Sequence, residues 1–409
     1  MNSKIVKLLA SATLVGSGAA ALVPGVSGAS GGVTAKSFTP TYSAMFGLQK
    51  IAAMSKSGIG VILPDEVSSN RYVEFDAPNI TQALTDAGLS TAQISVQNAQ
   101  GVASNEIAIA QADIAAKDKV LIMDPLDSTT GKAIEALAKK AGVQVIDYDR
   151  LTVGGSAKYY VSFNNVTVGQ LIGQGVLSCI SAWHVKNPLL YVMNGSTTTD
   201  NNAVLFAQGY DGVLKKAGYA AAVGGMGNAK TINETGTGTW TPSQALTDFQ
   251  GAFAKNGKIN AVVTPNDENA APIIAFLQGQ GLKPRTIPFT GQDATLTGFQ
   301  NIISGYQCGT VYKPIWQEAQ AAAALALYLR AGMKPPAGLT NGSTADKVGH
   351  RSVASVLLTP TWVTATNIEK TVVANGVISP VALCTSFHPA VKGYNAPTYA
   401  KDCKTYGIK

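Results

Sequence analysis

From residue 58 onward, short apolar runs rich in β-branched residues alternate with longer amphipathic stretches, the pattern of parallel strands joined by crossover helices. The runs Ile59 to Leu63, Ala92 to Gln97, Lys119 to Met123, Val143 to Tyr148 and Tyr159 to Phe163 predict strands. Tyr72 to Ala87, Ser104 to Ala116 and Thr129 to Ala141 predict the helices between them, the last stopped by Gly142 in a left-handed cap. Strands that are apolar along their whole length are covered on both faces, so helices should flank the sheet. The alternation then restarts. Strands are expected at Leu189 to Met193, Ala220 to Val223, Asn260 to Thr264, Ile287 to Thr290 and Thr310 to Tyr312, with helices at Asn202 to Ala217, Pro242 to Lys255, Asn269 to Gln280 and Pro314 to Ala331. The expected fold is α/β: two doubly wound parallel-sheet lobes. The join near Phe163-Asn164-Asn165 is short and carries no Pro/Gly/Ser linker, which favours a hinge. Ligands bind beyond the carboxyl ends of open parallel sheets, so two sheets facing each other make a cleft.

What precedes this pattern reads as an export signal. Lys4 and Lys7 precede an apolar, small-residue stretch from Leu8 to Val23, and Ser27-Gly28-Ala29 supplies a cleavage pattern. Pro24 and Gly25 close the stretch before it can span a bilayer of ~30 Å. Cleavage would leave 380 residues, enough for two domains, and would lower the net charge from +7 to +5. Without a cysteine near the cleavage point there is no lipid acceptor, so the expected location is the periplasm or the cell exterior. Residues 30 to 57 lack the strand pattern; Met45 to Met54 can form a helix docked on the first lobe. Charged residues make up 13% and form no Lys/Arg stripe, which argues against a nucleic-acid partner.

Four cysteines in an exported chain predict disulfides, with three possible pairings. Cys384 and Cys403 enclose a Pro/Gly/Tyr-rich tail and are the first expected pair; Cys179 and Cys308 either bridge or stay as buried thiols. No CxxC occurs, and His184, His350 and His388 are far apart, so neither a metal site nor a cofactor is expected.

Polar residues where apolar strands stop are the informative ones, because loops carry function while strand interiors carry packing. In order they are Asp65 and Arg71, Asp149 and Arg150, Asn164 and Asn165, Asp200-Asn201-Asn202, Trp240, Asn266 and Asp267, Gln292 and Asp293, and Lys313. Carboxylates, amides and fixed cations match hydroxyls that donate once and accept twice, and Trp240 offers a flat face to the C–H side of a sugar ring. Each residue also has a plain structural reading. Asp149-Arg150 can be a strand-end ion pair, and Asp200 and Asn266-Asp267 can be helix caps.

These residues resemble a family. The runs Val145 to Arg150, Tyr160 to Asn165, Asp200 to Ala203, Trp240-Thr241-Pro242, Asn266-Asp267, Gly291 to Ala294 and Val311 to Ile315 are similar, in order and spacing, to periplasmic sugar-binding proteins of ABC importers, the xylose-binding branch above all. The resemblance runs from about residue 58 to about residue 375. It implies the type I periplasmic binding protein fold: two lobes joined by a three-crossing hinge, with a monosaccharide in the interlobe cleft and an ABC permease as partner. It implies ligand contacts from Arg71, Tyr72, Asp149, Arg150, Asn165, Asp200, Asn202, Trp240, Asn266, Asp293 and Lys313. It places 58–164 with 313–350 in the first lobe, 165–312 with 351–380 in the second, and 381–409 in a tail. Tyr72 stands where the family has a larger aromatic, and the stretch Asn194 to Thr199 is one residue longer. Glucose, galactose and arabinose therefore stay open beside xylose.

The expectation is a monomeric, non-catalytic receptor. A sensing partner of a membrane receptor shares the fold. A glycosidase needs two carboxylates across the bond, and Asp149, Asp200 and Asp293 each have a neutralising neighbour. A repressor of similar core is opposed by the export signal.

Overall fold

Five strands carry the first lobe: β1 (Ile59–Leu63), β2 (Ile94–Asn98), β3 (Val120–Met123), β4 (Gln144–Tyr148) and β5 (Tyr159–Phe163). All pair in parallel, and β1, β3, β4 and β5 are almost fully apolar and buried, as a sheet covered on both faces requires. The computed structural model describes residues 32–220, 228, 230–233, 238–385 and 396–409. The expected export signal, most of the expected strand at Ala220 to Val223 and Thr235-Gly236-Thr237 lie outside the described residues.

Local chemistry fixes the helices between the strands. Helix Ser128–Ala141 opens where the Asp127 carboxylate accepts the N–H groups of Thr129 and Thr130 at 2.7 and 2.9 Å, and it stops at Gly142, φ +71°. The helix expected from Tyr72 begins instead as a π-turn over Tyr72–Asp76 before running as Ala77–Asp86. The wider turn brings Asp76 back against Arg71.

The second lobe is built on β6 (Leu190–Val192), β7 (Thr231–Asn233), β8 (Ala261–Val263) and β9 (Thr310–Tyr312). β7, β6 and β8 are parallel; Phe289 bridges to Val262 and Gln292 to Val311, which carries the sheet on toward β9. Helix Asn165–Ala182, absent from the sequence reading, packs along helix Asn201–Lys216, and Cys179 bridges to Cys308.

After β9 the chain returns to the first lobe as helix Ile315–Arg330, buried nearly all round and packed under β3, β4 and β5. Then come β10 (Gly342–Asp346) and β11 (Arg351–Leu358), and finally β12 (Thr361–Val363). The first sheet runs β10-β11-β5-β4-β3-β1-β2. This corrects one boundary: residues 351–358 were expected in the second lobe, but β11 pairs in parallel with β5, Leu358 beside Phe163. The third crossing therefore falls at Thr359-Pro360, and β12 then joins β9 antiparallel. With Phe163–Asn165 and Lys313-Pro314, three crossings connect the lobes, and Val33–Lys409 forms one compact unit.

Two short helical turns, Ser43–Phe46 and Gln49–Ala52, bury Met45, Leu48 and Ala52 against the first lobe. Arg330 fastens the end of this segment through the carbonyls of Ala52, Ser55 and Ser57 at 2.8, 2.9 and 2.6 Å. In the tail, Cys384 bridges to Cys403. Among the described residues no helix is long and apolar enough to cross a membrane.

Candidate functional site

The carboxyl ends of both sheets face one cleft. On the first-lobe side, Arg71 is buried and its guanidinium is fully engaged: Nε and Nη2 donate to Asp76 at 2.8 and 2.6 Å, Nη2 to Glu318 at 2.7 Å and Nη1 to Asp149 at 2.8 Å. Asp149 follows β4 with φ +54°, a conformation costly for a residue other than glycine and concentrated at functional sites. Burial would raise the Asp149 carboxyl, but Arg71, Lys313 and Arg150 outweigh it and hold the group below the usual carboxylate range. The guanidinium carbons of Arg71 and Arg150 stand 5.5 and 5.6 Å from the centre of the Tyr72 ring, and the Tyr72 hydroxyl donates to Asp149 at 3.3 Å.

Arg150 is less committed. Its Nη2 donates to Ser68 at 3.3 Å, while its Nε stands 3.5 Å from Asp200 Oδ2 and 3.8 Å from Asp124 Oδ1 without a hydrogen bond among the described residues. Asp124 is fully buried at the end of β3, and burial pushes its carboxyl well up despite Arg150. Sequence reasoning missed it, although an acid directly after an apolar strand was the rule that found Asp149.

The second lobe closes from the other side. Asp200 divides its oxygens: Oδ1 caps helix Asn201–Lys216 through the Asn202 N–H at 2.8 Å, and Oδ2 faces Arg150. Burial raises the Asp200 carboxyl even with Arg150 beside it, contrary to the expectation that its neighbour holds it fully ionised. Asn202 donates to the Asp149 carbonyl at 2.9 Å and accepts from Tyr160 at 3.0 Å and Asn165 at 2.7 Å. Asn266 donates to the Ser68 carbonyl at 2.9 Å, and Ser69 donates to both Glu268 and Asp293 at 3.0 Å. Lys313, on the second crossing, lies 2.9 Å from Asp293 and 3.9 Å from Asp149.

Ten of the eleven residues expected to meet a ligand line this cleft: Arg71, Tyr72, Asp149, Arg150, Asp200, Asn202, Trp240, Asn266, Asp293 and Lys313. Asn165 does not; it stands behind Asn202 and orients its amide. The lining also includes Ser68, Ser69, Phe206 and Gln292, none of them named as ligand contacts. Phe206 sits four residues after Asn202 on one helix face, a spacing that could have found it. Asp267 was expected to cap a helix. Asn266 is the cap, accepting the Asn269 N–H at 3.0 Å, and Asp267 instead accepts from Thr295 at 2.9 Å and Gln307 at 2.7 Å, with burial raising its carboxyl to about 7.

Buried polar atoms on this lining, among them Arg150 Nε, Trp240 Nε1 and Gln292 Oε1, have no hydrogen-bond partner among the described residues. Such groups are rare unless something binds there. The space they surround is about 20 Å³, of the order of one water. Admitting a larger molecule therefore requires the lobes to part. Trp240 meets Phe206 edge-on, ring centres 6.4 Å apart, which steadies the indole at the cleft. Among the described residues, no cluster of His, Cys, Asp and Glu is suited to a metal ion.

Two α/β lobes, three crossings and a polar cleft with an aromatic wall define a hinged ligand-binding protein. Residues 59–334 match the periplasmic binding protein domain, and the chain belongs to that family. It is 33% identical over 286 residues to the D-xylose-binding periplasmic protein of Escherichia coli, covering 70% of this chain and 81% of that one. It is 30% identical over 340 residues to the multiple sugar-binding periplasmic receptor ChvE of Rhizobium radiobacter, covering 81% and 94%. A carbohydrate transporter solute binding protein from Chloroflexus aurantiacus, solved in complex with D-glucose, superposes with a TM-score of 0.67 at 26% identity, covering 80% of this chain and 98% of that one.

Proposed function

We propose that this chain is an exported, monomeric receptor that closes on a monosaccharide and presents it to the membrane permease of an ABC importer. The observation that carries the reading is the convergence of Asp149, Arg150, Asp200, Asn202, Asn266 and Asp293 from both lobes around unpaired atoms of Arg150, Trp240 and Gln292. Fixed donors and acceptors beside an indole suit a hydroxylated ring, because charged partners make the stronger hydrogen bonds and the aromatic face covers the C–H side. The sugar-binding relatives support the ligand class, and the periplasmic ones support export. Closure is favoured by contacts made only when the lobes meet, such as Asn266 to Ser68 and Asn202 to Asp149.

The cleft is non-catalytic. Asp149, held ionised by three cations, cannot serve as the proton donor that glycoside cleavage needs. Calorimetric titration with xylose, glucose, galactose and arabinose should find at least one binder, and chromogenic glycosides should not turn over. No heat with any of the four sugars, or release of a chromophore, would overturn this reading.

A further inference from the structure

A second space opens beside the cleft. About 430 Å³ in volume, within the ~300–1,000 Å³ typical of ligand sites, it is walled by the first lobe, the second lobe and the second crossing together. Tyr42, Phe75 and Trp316 give it aromatic faces, and Glu74, Gln82 and Asn375 stand on its lining as polar groups. Tyr42 precedes the residues that match the family model, and Asn375 follows them. Trp316 is half-buried and steadied by donation from its Nε1 to Tyr312 at 3.3 Å; Tyr42 is steadied by donation to Asn79.

Asp293 and Lys313 line both this groove and the small cleft. Their ion pair is thus a shared wall between two spaces. A link between rings in the two spaces has to pass this buried pair, so Lys313, a point charge on a flexible four-carbon stem, must turn aside as such a ligand enters. The groove repeats the chemistry of the cleft, flat apolar rings bordered by amides and a carboxylate, which is the chemistry that holds a hydroxylated ring. The cleft offers about 20 Å³ beside the groove's 430 Å³, so the larger share of the available room lies beyond the Asp293–Lys313 pair.

We propose that the groove is a second sugar subsite, which takes the second ring of a disaccharide whose first ring is held in the cleft. The proposal rests on the receptor reading above and extends its substrate class from one ring to two. Trp316 supplies the stacking face for the second ring, and Gln82, Glu74 and Asn375 meet its hydroxyls.

The test is calorimetric titration of the mature full-length protein with xylose and glucose against xylobiose, cellobiose and maltose, repeated on Trp316→Ala and on Gln82→Trp, which fills the groove from an exposed rim position. At least one disaccharide should bind about three- to tenfold more tightly than its own monosaccharide, the range expected of one added aromatic contact. Both variants should erase that preference while leaving the monosaccharide Kd within about twofold, because neither residue touches the cleft. If monosaccharides bind and no disaccharide does, or if the preference survives both substitutions, the subsite is overturned and the receptor reading stands. If neither class of sugar binds, the receptor reading falls and the subsite with it.

Discussion

Lys313 Nζ lies 2.9 Å from Asp293 Oδ1 with both side chains buried, so the crossing that returns the chain to the first lobe is pinned by charge to the second. When the lobes part, water reaches both groups, and the cost of losing one partner then falls on closure. Removing one member of a buried pair costs about 3–5 kcal/mol, and the lower figure is about a hundredfold in Kd. Lys313→Met should therefore weaken sugar binding by at least that factor, with a smaller effect on ligand-free melting. Lys313→Arg should restore much of the affinity. Calorimetry on the three proteins decides it, and unchanged binding by Lys313→Met would remove the residue from the site.

Arg71 and Arg150 look alike in sequence and differ in what they hold. Arg71 spends its donors on Asp76, Asp149 and Glu318, whereas Arg150 Nε faces Asp200 and Asp124 at 3.5 and 3.8 Å without a hydrogen bond among the described residues. Arg71→Met should leave three buried carboxylates without their shared cation and lower stability by about 3–5 kcal/mol. Arg150→Met should melt nearer to the wild type yet lose sugar affinity. Denaturant melts beside titrations separate the two, and matching profiles would refute the division.

Trp240 forms a cleft wall with its Nε1 unpaired among the described residues. A sugar that stacks there changes the polarity around the indole, so titration should alter tryptophan fluorescence. Trp240→Ala should abolish that change and weaken binding by about 0.5–1.5 kcal/mol beyond the lost contact area. A signal that persists in the variant would assign it to Trp183, Trp316 or Trp362 instead.

Asp267 and Asp293 should also part ways. Asp267 accepts from Thr295 and Gln307, fastening the loop that carries Asp293, and its carboxyl is raised to about 7 by burial. Asp267→Asn can keep one of these bonds and should lower the melting temperature while sugar binding survives. Asp293→Asn, at the cleft, should do the reverse. Equal losses of affinity would show that the loop and the site are not separable.

Much of the first lobe was legible because β1 and β3 are apolar over four or five consecutive residues, the pattern of strands covered on both faces. The π-turn at Tyr72–Asp76 was not, since helical periodicity over five residues looks the same in either winding. Helix Asn165–Ala182 escaped because Gly169, Gly173 and Gly175 depress helix propensity. Tertiary packing explains the first of these: a Cβ on Gly169 would sit 2.0 Å from the Phe206 carbonyl of the neighbouring helix. The strand β11 was misplaced because its partner, β5, lies nearly two hundred residues earlier, and the sequence pattern carries no record of pairing. Position at strand ends singled out most of the residues that line the cleft, with Tyr72 coming from the family resemblance alone. What that rule could not supply was orientation: why Asn165 serves Asn202, or why Asp267 turns away from the cleft.

Glu268 gives the cleft a dependence on pH. Its Oε1 accepts from Ser69 and from the Asn70 N–H across the lobe boundary at 3.0 and 3.1 Å, while Oε2 is buried without a partner among the described residues. Burial first, then Asp293 and Asp267, raise its carboxyl well above the ordinary 4.5, and Lys313 is engaged with Asp293. Opening withdraws Ser69 and Asn70 and returns the group to water, so closure takes up a proton. Below the ordinary value both forms are protonated and closure carries no penalty. As pH rises from there toward the raised value, affinity should fall by up to about tenfold per unit, then level off above it. Glu268→Gln, which stays neutral, should flatten this component of the profile between pH 5 and pH 8. Titrations in matched buffers would show it, and parallel profiles for the two proteins would exclude Glu268 as the proton acceptor.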